Sequence, residues 1–232
     1  MNTVKLPVTR SYQVNTIYPC LQGEGCLTGT PMMLIRLQYC PVGCPFCDTK
    51  ETWHLDNDFM QPTLETALGT NKFFADVNAH QIVSYLSSLN MPQIEWVLLT
   101  GGEPAAQPLK ELFYVLKNAG YKIALETSGV ANGCINVPFD WLCVSPKIGM
   151  PGGYELRADV LAAADEIKYV IGKQRDIDTL KGILANNELK KDVVICVQPM
   201  SQSAPATQIC IKAAMDNGWR LSIQTHKYLK LP

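Results

Sequence analysis

Cys40, Cys44 and Cys47 stand in the run Cys-Pro-Val-Gly-Cys-Pro-Phe-Cys, a C-x3-C-x2-C spacing that gathers three thiolates at one compact point. Iron–sulfur clusters are held by cysteine thiolates, ordinarily four of them. Three close ligands with no fourth nearby describe a 4Fe–4S cluster with one iron left open. An open iron adds nothing to electron storage and suits a cluster that binds a small molecule directly. A structural zinc site is the other reading of these residues, but it wants four ligands in closed tetrahedral geometry. His54 is the only histidine near the triplet, and its spacing matches no common zinc module.

Such residues need a scaffold that brings them together. Short apolar runs alternate with helical patterns along the chain. Strands are expected at 32–38, 94–99, 122–126, 141–145, 166–171, 193–198 and 221–224, with amphipathic helices at 81–89, 109–119, 176–184 and 207–217. Gly120 and Gly218 fall where two of these helices should stop. The alternation predicts an α/β fold, a parallel sheet with helices outside it. The strand runs are apolar nearly throughout, as strands buried on both faces are. A closed eight-unit barrel takes ~250 residues, so about six units in 232 residues predict an open, partial (β/α) barrel in a single domain, 1–232. Residues 50–78 are mixed and polar, and read as an irregular insertion after the cysteine loop.

In sheets of this kind ligands bind at the carboxyl ends of the strands. The first strand runs directly into the cysteine loop, and the second is followed by Thr100-Gly101-Gly102-Glu103-Pro104. Adjacent glycines let backbone atoms approach a ligand closely. Alone, a Gly-Gly pair is most simply a tight turn. Behind the cysteine triplet it resembles the Gly-Gly-Glu motif of the radical S-adenosylmethionine (SAM) superfamily. There SAM occupies the open iron through its amino and carboxylate groups, and the motif's backbone receives the amino group. Three further strand ends carry Glu126-Thr127-Ser128-Gly129, Ser145-Pro146-Lys147 and Gln198-Pro199-Met200-Ser201. These polar groups suit a ribose, a carboxylate and an adenine edge, although each alone reads as loop capping.

A narrower resemblance rests on Tyr18-Pro19-Cys20-Leu21-Gln22-Gly23-Glu24-Gly25, on Arg36-Leu37-Gln38 before the triplet and Asp48-Thr49-Lys50 after it. The ending Gln224-Thr225-His226-Lys227-Tyr228-Leu229 completes it. From about Ile17 onward the chain resembles the 7-carboxy-7-deazaguanine synthase family of queuosine and 7-deazapurine biosynthesis. The resemblance implies conversion of 6-carboxy-5,6,7,8-tetrahydropterin into 7-carboxy-7-deazaguanine, a ring contraction with loss of ammonia. The hard chemistry would be borne by the cofactor, with no catalytic side chain. It implies a 4Fe–4S cluster on Cys40, Cys44 and Cys47, SAM, and Mg²⁺ at Thr49. Phe46, Cys47, Asp48, Gly102, Ser145, Pro146, Lys147, Gln198, Pro199, Met200 and Ser201 would line the SAM site. Leu21, Gln22, Gly23, Arg36, Thr100, His226 and the terminal Pro232 would meet the pterin, with Arg36 on its carboxylate as a planar bidentate donor. An electron donor such as flavodoxin or ferredoxin, and a homodimer, are implied in the same way.

Composition narrows the alternatives. Twenty basic against twenty-one acidic residues, with no basic run, give no nucleic-acid footprint. No apolar stretch is long enough to span a bilayer. The start lacks the apolar core of a secretory signal, and the scattered cysteines suit a reducing cytoplasm. A radical SAM activase of a glycyl radical enzyme shares the cluster and the Gly-Gly-Glu turn, but would need a protein-docking surface in place of a pterin pocket. A zinc-stabilised, non-enzymatic module would bind no iron. The chain departs from the family pattern at Cys20 and Cys26, at Ser128, and in about nine extra N-terminal residues. Cys20 and Cys26 are the cysteines that could add a fourth ligand to the cluster.

Overall fold

Strands that are apolar on both faces can only pair into a sheet covered on both sides, and the seven expected strands do so. In the computed structural model, which describes residues 10–68, 70 and 72–230, the strands are β1 (Ser11–Leu21), β2 (Pro31–Leu37), β3 (Met60–Gln61), β4 (Phe74–Asn78), β5 (Trp96–Gly101), β6 (Lys122–Thr127), β7 (Trp141–Val144), β8 (Glu166–Ile171), β9 (Val194–Pro199) and β10 (Arg220–Leu221). The helices are α1 (Leu64–Ala67), α2 (Ala79–Ser88), α3 (Lys110–Asn118), α4 (Ala158–Ala162), α5 (Gln174–Ala185), α6 (Ala204–Asn217) and α7 (Thr225–Leu229). The N-terminal extension and Pro232 lie outside the described residues.

The sheet order is β10-β9-β8-β7-β6-β5-β2-β1-β4-β3. From β2 through β10 every pairing is parallel, and the sheet does not close. The last expected strand is shorter than predicted, because Ser222–Gln224 leaves β10 and leads into α7. The segment after the cysteine loop, expected to be irregular, holds short 3-10 turns, the two-residue β3 and the four-residue α1, and ends in β4, which pairs parallel with β3 and antiparallel with β1. β1 itself was not expected. Tyr12, Val14, Asn15 and Ile17 are all buried, and a register shift between Val14 and Thr16 breaks the two-residue alternation that marks a strand. The buried Asn15 amide donates to Gln38 Oε1 at 3.0 Å and to the Phe73 carbonyl at 3.1 Å.

Two apolar layers follow from the strand alternation. Met33, Ile35, Leu37, Val97, Leu99, Ile123, Leu125, Ile167 and Ile171 face helices outside the sheet and join the main core. Burying each such side chain contributes about 1.5–3 kcal/mol. Met32, Leu34, Leu98 and Ala124 form a smaller cluster on the inner face with Tyr18, Cys20, Trp96 and Trp141. Two residues further along, the same inner face turns polar: Arg36 follows Leu34, Thr100 follows Leu98, and Glu126 follows Ala124. Arg36 pairs with Thr100 across β2 and β5, and Glu126 with Cys143 across β6 and β7. The apolar half closes the barrel floor; the polar half opens at the carboxyl ends.

Candidate active site

The cysteine loop leaves β2 through Tyr39, whose φ of 84° lies in the left-handed region disfavoured for a side-chain-bearing residue. Its amide donates to Thr52 O at 2.7 Å, and its carbonyl accepts from Glu103 N at 2.8 Å. Gly101 and Gly102 pass directly beneath this point. A side-chain carbon on Gly101 would overlap the Leu37 backbone, and one on Gly102 the Tyr39 carbonyl. Gly102 N donates to Leu37 O at 3.0 Å, so its amide is committed to the loop and its carbonyl is what it can offer a ligand. The Gly-Gly pair therefore seats the cysteine loop on β5.

Glu103 is buried, and its carboxylate is held by the end of β6. It accepts from Ala105 N at 2.9 Å, Thr127 Oγ1 at 2.6 Å, Ser128 N at 2.7 Å and the Ser128 hydroxyl. The structure makes it the cap of a 3-10 turn and a tie between the ends of β5 and β6.

Above these ends opens a cleft of about 230 Å³ walled by Cys40, Cys44 and Cys47 together. The same walls include Phe46, Asp48, Thr49, Thr100, Gly102, Ser145, Lys147, Gln198, Pro199, Met200 and Ser201. Cys47 Sγ accepts from Thr49 N and from Trp53 Nε1, each at 3.4 Å, and lies 3.6 Å from Thr49 Oγ1. Donors aimed at a sulfur suit a thiolate ligand and tune a cluster's potential. Burial pushes the Cys40 thiol up to about 11, with a smaller opposing pull from the Val42 and Gly43 amides. Burial also raises Cys44, against the nearby Lys147. Both shifts favour the neutral thiols over the thiolates that a metal needs, so loading a metal releases protons. Lys147 donates to the Ser145 carbonyl at 2.8 Å and its hydroxyl at 2.6 Å, and burial lowers its pKa. Three thiols on one wall, with donors already turned toward a sulfur, fit an iron–sulfur cluster.

The remaining expected residues fall outside the cleft walls. Pro146 is buried between Ser145 and Lys147, and Leu21 is exposed. Arg36 is half-buried, close enough to Cys20 to pull that thiol down against the burial that raises it, and forms no ion pair among the described residues. Gln22 is buried beside the cleft and donates to Glu126 Oε1 at 3.1 Å. His226 packs on Gly23, where Thr225 N donates to Gly23 O at 2.9 Å. Two motifs at opposite ends of the chain thus form one wall.

The sequence reading missed the charges that hold this wall. Lys168 donates to Glu24 Oε2 at 2.6 Å and Glu126 Oε1 at 3.0 Å, with its own side chain only 4% exposed. Gln224 Nε2 donates to Glu24 Oε1 at 2.7 Å, and Lys227 pairs with Asp48 at 3.3 Å. Burial alone would raise the Glu24 carboxyl, but Lys168 and the amides of Gln224 and Gln198 bring it down to about 2. A depressed carboxyl contributes stability above its unfolded pKa, near 4.3, and loses it as pH falls toward the folded value. Its contribution, of order 3 kcal/mol, should therefore fade between about pH 5 and pH 2. Urea unfolding of wild type and Glu24→Gln across the accessible part of that range checks this. Wild type should lose stability on acidification and converge on the flatter variant; parallel curves would show that Glu24 is not the group responsible.

No family model matches the chain. It is 40% identical to the 7-carboxy-7-deazaguanine synthase of Escherichia coli K12 over 223 residues, covering 95% of this chain and 99% of the relative. The enzyme of the same name from Buchnera aphidicola is 37% identical, over 95% and 99% of the two chains, and that from Synechocystis 32%, over 99% and 98%. The crystal structure of QueE from Escherichia coli superposes with a TM-score of 0.85 at 38% identity, covering 93% of this chain and 95% of that one.

Proposed function

This chain belongs to the 7-carboxy-7-deazaguanine synthase family, and we propose that it converts 6-carboxy-5,6,7,8-tetrahydropterin into 7-carboxy-7-deazaguanine with loss of ammonia. The observation that carries the reading is the shared cleft: three thiols, the Gly-Gly-Glu turn and three further strand ends converge on one volume. A 4Fe–4S cluster with SAM, given one electron by an external reductant, would supply the radical hydrogen abstraction from the substrate. Cys40, Cys44 and Cys47 would hold that cluster. Phe46, Cys47, Asp48, Gly102, Ser145, Pro146, Lys147, Gln198, Pro199, Met200 and Ser201 would position SAM.

The chain's own residues then bind and orient. Arg36, which forms no ion pair among the described residues, lies on the inner face next to Thr100, which suits a carboxylate. Gln22 and Gly23, backed by His226, would hold the pterin ring, and Leu21 its approach. The Glu24–Lys168–Glu126 chain keeps this wall rigid and leaves the cleft with fixed charges beside the substrate. Thr49 would offer its hydroxyl to Mg²⁺, which takes few protein ligands and keeps several waters. An external reductant of the flavodoxin or ferredoxin kind, homodimerisation and a cytoplasmic setting belong to the same proposal. Among the described residues, no helix is long and apolar enough to cross a membrane.

The test is an anaerobic assay with SAM, dithionite, Mg²⁺ and 6-carboxytetrahydropterin, read by mass spectrometry. Formation of 7-carboxy-7-deazaguanine supports the reading, and SAM cleavage unaffected by the pterin would sink it. Thr49→Ala should weaken the Mg²⁺ dependence of turnover while leaving iron content and SAM binding unchanged, because one hydroxyl is a modest ligand. An identical Mg²⁺ titration in both proteins would remove Thr49 from the metal site and leave the assignment of the cleft standing.

A further inference from the structure

Cys26 is not among the walls of the cleft. It lies in the loop after β1, facing Glu166 of β8 and Cys196 of β9, and the ligand atoms of all three lie within 4.8 Å of one another. The two sulfurs are 3.7 Å apart. Two thiolates each ~2.3 Å from a tetrahedral zinc ion would stand about 3.8 Å apart, so the pair already has a chelating separation.

Glu166 supplies the second, independent observation. It is 2% exposed, and its Oε2 accepts from Cys26 N at 3.1 Å and from Trp141 Nε1 at 3.0 Å. Its Oε1 is buried with no hydrogen-bond partner among the described residues. Such an oxygen is costly to leave unmet. Gly25 lies against it with φ at 67°, and a side-chain carbon there would collide with Oε1. One oxygen is thus fixed by two nitrogen donors while the other turns toward two sulfurs, as the outer contacts of a metal-binding carboxylate would leave it. Arg220 faces the Cys26 sulfur and would offset the surplus negative charge.

We propose that Cys26, Cys196 and Oε1 of Glu166 form a second metal site, separate from the cysteine cleft, for a borderline-soft divalent cation of the zinc type. Two sulfurs and one oxygen leave the fourth tetrahedral position to water on the half-exposed Cys26 side. The ion would clip the loop that carries Gln22 and Glu24 onto β8 and β9.

The probe is Co²⁺, added to anaerobically reconstituted protein with its iron–sulfur cluster in place, and followed by the thiolate-to-cobalt charge-transfer band in difference spectra. One ion per chain beyond the cluster iron is expected, with the band retained in Cys20→Ala. Cys26→Ser and Cys196→Ser should each weaken binding by roughly tenfold or more and reduce the band. A second measurement needs no variant: Zn²⁺ should protect Cys26 of the wild-type holoprotein from alkylation, read by peptide mass spectrometry. No charge-transfer band in wild type, equal affinity in the serine variants, or equal labelling of Cys26 with and without Zn²⁺ would each overturn the site.

Discussion

Replacing any one of Cys40, Cys44 or Cys47 with Ala is expected to abolish both the brown chromophore and all turnover after anaerobic reconstitution. Each thiol is one of only three, so no spare ligand can compensate. Cys20→Ala and Cys26→Ala should keep the chromophore and nearly full activity, since neither residue walls the cleft. The measurements are iron and sulfide content with product formation. Loss of cluster iron in Cys20→Ala or Cys26→Ala would mean a fourth cysteine closes the cluster, and the open-iron chemistry would fall with it.

Arg36→Ala should lower kcat/KM by roughly two to four decades, the kinetic equivalent of the ~3–5 kcal/mol cost of breaking a buried charge pair. Arg36 has no protein carboxylate to hold it among the described residues, so truncation leaves the fold and cluster content intact. Uncoupled SAM cleavage should persist at a low rate. Turnover within a factor of a few of wild type would exclude Arg36 as the partner of the substrate carboxylate. Simultaneous loss of iron and SAM cleavage would assign it to folding instead.

Much of this architecture is legible in the sequence, and what is not has physical causes. β2 and β5 to β9 are apolar on both faces, which makes them visible as runs, and their ends carry the polar residues that reach the cleft. β1 escaped because its bulge buries Val14 and Asn15 in succession. Lys168 escaped because an apolar run conceals a single charge within it. Alternation could have found it. With Ile167, Tyr169 and Ile171 packed outward, Lys168 had to point into the barrel, where a lysine is tolerable only beside carboxylates. Glu24 and Glu126 were then the partners to seek. The Cys26–Glu166–Cys196 group could not be read at all, since it joins three elements far apart in sequence.

The contact of Thr225 with Gly23 spans 202 positions of the chain. During synthesis all three cysteines of the cleft emerge early, whereas the wall over Gly23 waits for Thr225 and His226 to be made. The pocket therefore closes only once Thr225 has been added, and a nascent chain can display its thiols long before it can enclose anything beside them.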